Sequence, residues 1–379
     1  MSGARNARLA PRRAAHRPAR PAFHAAVLAA ALLLVIPAAA SALAAQVGRG
    51  GAETQAALPT IEQRTAGMRK LDGFFPLYWE EAAGKLWLEI PAGRLNTEVL
   101  YITGLGSGLG SNDIGLDRGA LEGSRIVVFE RVGPKVLLVQ PNYRFRSSST
   151  NPAEVRAVRD AFARSVLWGF TVAAQTGERI LVDATDFLLR DAINIAPRLR
   201  PGSYRLETSR SAIYLPMTMN FPKNTEMEVE LTFVAQPGAG GGGGFGGGQF
   251  FEGVGAVAAT GEAASLRVHH SLVELPDDGY KPRLYDPRSG YFPIAWEDYS
   301  APLGEPMTKR FIRRHRLKKR DPTAPVSDPV EPIVYYLDPG TPEPIRTALL
   351  EGARWWNQAF EAAGYRNAFR VELLPDSVS

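Results

Sequence analysis

The chain of 379 residues contains no cysteine, and that absence removes several chemistries at once. A disulfide framework, a thiolate metal site, a cysteine nucleophile and a lipid-modified cysteine are all excluded, so packing must hold the fold together. Histidine is scarce as well: His16, His24, His269, His270 and His315 are the whole complement. There is no His-Glu-x-x-His run, no Gly-x-Ser-x-Gly elbow and no glycine-rich loop ending in Gly-Lys-Ser/Thr. The first 44 positions hold no acidic residue.

What that acid-free stretch does hold is Arg5, Arg8, Arg12, Arg13, Arg17 and Arg20, then an apolar run from Ala25 to Ile36, then the small residues around Ala42 and Ala44. Basic, apolar and small segments in that order predict a signal peptide over residues 1–44, cleaved after Ala44. An uncleaved anchor is the alternative, since His24 to Ala45 is about the 20 residues a bilayer needs. Pro37 and the alanine-rich tail speak against it. The mature protein is accordingly expected to be exported, periplasmic or secreted, with no stable membrane span. The formal net charge is +5, and removing the six leader arginines leaves −1. A nucleic-acid partner is not expected, because such binding needs a basic field on the folded domain. One basic cluster remains, from Lys309 to Arg320. A solvated helix and linker is its plain reading and contact with an acidic surface its sharper one.

Residues 45–70 read as a lead-in with a short helix over Ile61 to Lys70. Strand-like runs follow at Phe74 to Glu80, Lys85 to Ile90, Glu98 to Thr103, Arg125 to Arg131, Lys135 to Gln140, Thr171 to Ala174, Arg179 to Asp183, Ser211 to Leu215, Glu226 to Ala235 and Ser265 to Leu275. Arg159 to Trp168 reads as helix. Strands at this density predict a β-rich antiparallel domain over residues 71–308, interrupted by a glycine-rich loop at 237–249 that no core can use. Residues 309–330 read as a basic, proline-rich linker. The stretch 331–379 has a strand at Ile333 to Leu337, a helix with apolar residues at Ile345, Leu349, Trp356 and Phe360, a stop at Gly364, and a strand at Phe369 to Leu374. That is an incomplete βαβ start of a larger α/β module, and the whole is α+β.

Several long blocks carry a resemblance. Leu105 to Gly119, Gln140 to Phe145, Val182 to Asp191, His269 to Pro276 and Glu351 to Gly364 are similar to a family of exported bacterial proteins. In that family a large domain of unknown function precedes a zinc-dependent metalloprotease module of the met-zincin type. The resemblance implies hydrolase chemistry with zinc in the full-length family module, a C-terminal protease module missing from this chain, and a peptide or protein substrate. The family's His-Glu-x-x-His-x-x-Gly-x-x-His motif has no counterpart here, so no peptidase activity is expected of the chain by itself.

No catalytic, cofactor-binding or metal-ligating residue is therefore expected within these 379 positions. His269 and His270, adjacent on a strand, point to opposite faces and cannot easily share a metal. Asp183, Asp186 and Asp191 lack the alternating oxygen ligands of a calcium loop and read as turn and helix caps. The glycine-rich stretch from Gly104 to Gly119 fits neither nucleotide fingerprint and reads as a loop needing positive φ. Two functions stay open: the front part of a metallopeptidase-like protein, or a non-catalytic exported module binding a peptide, glycan or envelope partner.

Overall fold

A computed structural model describes residues 57–237 and 253–375. The expected signal peptide, the first part of the lead-in (residues 45–56), nearly all of the glycine-rich loop and residues 376–379 lie outside the described residues. The chain divides into Met1–Ala57 and Leu58–Ser379, and the elements described below belong to the second unit.

The chain enters through a one-turn helix, α1 (Ile61–Arg64). The Thr60 hydroxyl accepts from the Gln63 N–H at 3.1 Å and the Gln63 side chain accepts from the Thr60 N–H at 2.9 Å, a capping box. The helix expected to run to Lys70 ends here. Gly67, at φ +78°, turns the chain out of helical geometry, and Arg69–Leu71 becomes β1. There follow β2 (Leu77–Glu80), β3 (Lys85–Ile90), β4 (Glu98–Leu105), β5 (Leu121–Val132), β6 (Lys135–Gln140) and β7 (Phe145–Arg146). After α2 (Pro152–Ala161) come β8 (Ser165–Thr176), β9 (Arg179–Asp183) and the short α3 (Thr185–Leu188). The small strands β10 (Tyr204–Leu206), β11 (Ala212–Ile213) and β12 (Met219–Asn220) lead into β13 (Asn224–Ala235), α4 (Val254–Val257) and β14 (Ala263–Glu274). The chain closes with β15 (Pro293–Asp298), β16 (Thr308–Ile312), β17 (Ile333–Leu337), α5 (Ile345–Arg354), α6 (Trp356–Ala362) and β18 (Phe369–Leu373).

The helix expected at Arg159 to Trp168 sits earlier, because Asn151 caps it through the Ala153 N–H at 3.0 Å and Pro152 opens it. Trp168 is instead in β8, paired with β6 and β9. The basic run is not the expected helix either: Lys309 and Arg310 lie in β16.

The main sheet is antiparallel and runs β1-β2-β3-β9-β8-β6-β5-β4-β14-β13-β10, with β11 and β12 also on β13. The two long strands flanking the glycine-rich loop, β13 and β14, pair from Asn224 opposite Val273 to Val234 opposite Ala263. Alternation buries Val99, Tyr101, Thr103 and Leu105 of β4, and Leu266, Val268, His270 and Leu272 of β14, on the inner face. Phe187 of α3 plugs this interior, 5.3 Å from Phe170 and 5.8 Å from Tyr101 between ring centres.

The sheet curls until its two ends meet. The Phe74 N–H donates to the Phe221 carbonyl at 2.8 Å, and the Phe75 N–H to the Thr225 hydroxyl at 2.9 Å. The Asn220 amide donates to the carbonyls of Leu71 at 2.9 Å and Phe75 at 2.8 Å, and accepts from Thr225 at 2.7 Å. One side-chain amide thus does the work of a missing ladder between β1–β2 and β12–β13.

Two smaller sheets complete the fold. In the first, β15 pairs antiparallel with β16 and parallel with β7. In the second, β17 and β18 pair in parallel, with α5 and α6 between them in sequence. The single helix expected there is split at Trp355, and Gly364 at φ +84° ends it as expected. Phe360 stacks on Phe369 at 5.6 Å, whereas Ile345, Leu349 and Trp356 remain exposed.

Candidate functional site

On the outer face of β13 and β14, a carboxylate pattern meets a cationic one. Residues of like parity, Glu226 and Glu228, stand beside Arg267, His269 and Ser271, since the register sets Glu226 opposite Ser271 and Glu228 opposite His269. The His269 ring lies between both acids, Nε2 at 2.7 Å from Glu226 and Nδ1 at 3.1 Å from Glu228. The Ser271 hydroxyl donates to the same Glu226 oxygen. Arg267 pairs with the other Glu228 oxygen at 3.1 Å, as an ion pair without an aligned hydrogen bond.

This cluster is drier than an outer strand face should be, because the loop after β4 lies across it. Gly106 passes so close that a Cβ there would fall 2.5 Å from the Glu228 carboxylate, and a Cβ on Gly108 would meet the Leu116 carbonyl at 2.3 Å. The positive φ of Gly110, Gly115 and Gly119 matches the expected loop. Side-chain exposure of Glu228 drops to 3%. Burial opposes the charge on His269, but hydrogen bonds to Glu226 and Glu228 outweigh it and raise its pKa to about 9. Burial likewise pushes Glu226 upward, and its bonds from His269, Ser271 and Asn224 more than reverse that, leaving it below the usual carboxylate range.

The neighbouring His270 faces the interior, as strand alternation requires. Its Nδ1 lies 2.7 Å from the Tyr101 hydroxyl and its Nε2 has no hydrogen-bond partner among the described residues. Burial, reinforced by the charges of Arg190 and His269, depresses its pKa to about 3. The two histidines do lie on opposite faces. Neither fits zinc: both nitrogens of His269 are engaged by acids, and His270 is sealed in the core. Among the described residues no cluster of three or more His, Asp or Glu side chains is placed to hold a metal ion. Asp183 and Asp191 hold the turns that lead into short helical segments, accepting from the N–H groups of Thr185 at 2.9 Å and of Ile195 and Ala196 at 2.7 and 2.9 Å.

Beside the cluster is a depression of about 340 Å³ lined by Ile102, Gly119, Arg118, Glu228, His269 and Asp338, among others. Arg118 pairs with Asp338, the residue after β17, so the C-terminal end of the first strand of the βαβ unit is tied to this wall. The Ser271 hydroxyl is turned to a carboxylate and not to an imidazole nitrogen, and His269 has no free nitrogen with which to accept a proton. What the site offers is a fixed, charge-balanced surface facing the C-terminal end of a parallel strand.

Sequence reading weighed His269 and missed its partners Glu226, Glu228, Arg267 and Ser271. The signal was present: Glu-x-Glu on one strand and Arg-x-His-x-Ser on the next, given the register. Gly106→Ala should push the Glu228 carboxylate aside and lower the His269 pKa from about 9 toward its ordinary 6.5. Histidine C–H shifts followed by NMR against pH would read this, and an unchanged titration would show that Glu228 keeps its place.

No helix among the described residues is long and apolar enough to cross a membrane. No curated protein and no solved structure matches the chain. Residues 119–320 match a family model described as a domain of unknown function, DUF5117. That match covers the cluster on β13 and β14 and stops before β17. It spans more than half of the chain, which therefore belongs to the DUF5117 family.

Proposed function

We propose that this chain is the front portion of an exported zinc-dependent metallopeptidase-like protein, whose curled sheet holds and positions an α/β protease module beginning near residue 331. One observation carries the reading: the parallel βαβ unit of β17, α5, α6 and β18 leaves a broad apolar face uncovered. Trp355 and Trp356 are 65% and 63% exposed, and Tyr335, Tyr336, Ile345 and Leu349 are exposed with them. A two-stranded parallel sheet is buried on its faces in α/β proteins, so these side chains call for more strands and helix. The block from Glu351 to Gly364, similar to the start of a met-zincin module, supports the same reading. Zinc ligands would come from residues beyond those given, and no step of a peptidase mechanism is assigned to residues 1–379.

The test is a longer protein that includes the coding sequence following Ser379. Stoichiometric zinc by mass spectrometry, chelator-sensitive peptide hydrolysis, and shielding of Trp355 and Trp356 from iodide are the expected results, while residues 1–379 bind no zinc. Tight zinc binding by residues 1–379 alone, or a longer protein with neither metal nor shielding, would overturn the proposal. The second outcome would favour a non-catalytic binding module, for which the depression beside His269 is wide enough to take a peptide side chain or a sugar.

A further inference from the structure

The sheet formed by β7, β15 and β16 presents an unusual surface. Its register sets Ile294 opposite Phe311 and Trp296 opposite Lys309, so these four share a face. Alternation adds Phe292, two residues before Ile294, and a bridge from Leu284 to Phe311 extends the face sideways. Trp296 and Phe311, tilted against each other with ring centres 5.0 Å apart, form its floor. Above that floor Phe292 is 81% exposed and Leu284 80%. Side chains that size, held nearly clear of the protein on an ordered sheet, mark a contact surface.

The same face is cationic. Arg146 lies over the Trp296 ring at 4.6 Å. Arg313 stands opposite Phe292, donating its backbone N–H to the Phe292 carbonyl at 2.9 Å. Lys309, 3.8 Å from the exposed Glu305 carboxylate, completes the row, and Arg313, with Arg314 and Lys318 after it, forms no ion pair with an acid among the described residues. Lone cations with no apolar group beside them would fit any polyanion. Here protruding aliphatic and aromatic groups are interleaved with the cations. Leu284 gains nothing from a phosphate chain in water but does gain from entering the boundary between headgroups and acyl chains.

We propose that this face docks the protein on an anionic phospholipid surface, with Leu284 and Phe292 entering the interface and Lys309 and Arg313 engaging lipid phosphates. The attachment is peripheral and does not rest on the peptidase reading. It also gives the basic cluster of residues 309–320 a partner, the acidic surface that its charge suits.

Because the chain has no cysteine, Phe292→Cys gives one attachment point for a polarity-sensitive fluorophore on the full chain. With vesicles containing phosphatidylglycerol, its emission should shift to the blue and be quenched by brominated acyl chains. Phosphatidylcholine vesicles should leave it unchanged. Lys309→Glu with Arg313→Glu should raise the lipid concentration at half-binding by about tenfold or more, as should added salt. Leu284→Ser should weaken binding on anionic vesicles while leaving the thermal transition in place. A probe at Glu361→Cys on α6 should stay in water throughout, which separates docking of this face from any binding through the apolar run of residues 25–36. A probe at 292 that remains water-exposed on anionic vesicles would overturn the proposal. So would an equal response to neutral vesicles, or an equal shift with a DNA duplex, which would make the face a general polyanion site.

Discussion

Stability should peak near pH 6.5 and fall on both sides, with adjacent histidines responsible for opposite limbs. His269 has a folded pKa raised to about 9 against 6.5. Its contribution is complete below 6.5 and is lost as pH rises through 9, a change of about 3 kcal/mol at roughly 1.4 kcal/mol per unit. His270 has a folded pKa depressed to about 3. Its neutral form suits the core, so stability present above 6.5 is lost as pH falls, by about 1.4 kcal/mol for each unit. Denaturant unfolding followed by tryptophan fluorescence from about pH 5 to 9 spans both limbs before most carboxylates titrate. His269→Gln should flatten the alkaline limb alone and His270→Asn the acid limb alone. His269→Leu should be worse than either, costing about 3 kcal/mol, because it leaves Glu226 and Glu228 side by side under the loop with Arg267, 3.1 Å from Glu228, to offset both charges. If both limbs survive in His269→Gln and His270→Asn, the pH dependence has another source.

Adding one methyl group at Gly73 should cost about 3 kcal/mol or more. A Cβ there would lie 2.2 Å from Asn220 Oδ1 and 2.3 Å from its Cγ, so the amide cannot stay. Leu71 then loses the Asn220 donor to its carbonyl and Phe75 keeps only the longer bond from the Thr225 hydroxyl at 3.3 Å, a lost partner being worth about 1–3 kcal/mol. Asn220→Ala should cost a similar amount by removing the same bonds directly. The two changes attack one contact, so the double variant should be scarcely worse than Asn220→Ala alone. Additive losses in chemical denaturation would mean that Gly73 is needed for something other than room.

Much of this architecture was legible from residue pattern. The β2–β3 hairpin around Gly84, the β8–β9 hairpin around Gly177, the long β13–β14 pairing and the strand-helix-strand close all follow from alternation and turn residues. Two segments misled for identifiable reasons. Arg159 to Trp168 mixes a helix end with the first residues of a strand, and Asn151-Pro152 was the stronger start signal. Lys309 to Arg320 reads as solvated by charge alone, although Lys309 and Phe311 alternate with Arg310 and Ile312 in a strand. The candidate site was half legible. That His269 and His270 part ways follows from strand geometry, but the partners of His269 depend on a register that joins positions about forty residues apart. The covering loop is farther still. Asn220 gave no sign of its clamp, since one asparagine between short strands looks like any turn residue.

The pairing of β4 with β14, with Leu105 opposite Val268 and Val99 opposite Glu274, sets a timetable for the growing chain. Once β5 has emerged, β4 has one neighbour, and its other edge waits for residues 263–274. At about 5–20 residues per second that wait is on the order of ten seconds or more. Throughout it, the N–H and C=O groups along one side of β4 have no native partner, and neither do the inward side chains Val99, Tyr101 and Leu105. An open edge of that kind pairs readily with any other extended strand. The nascent chain therefore offers a holding chaperone its best target there, and crowded ribosomes their best opportunity for wrong pairing, until β14 arrives.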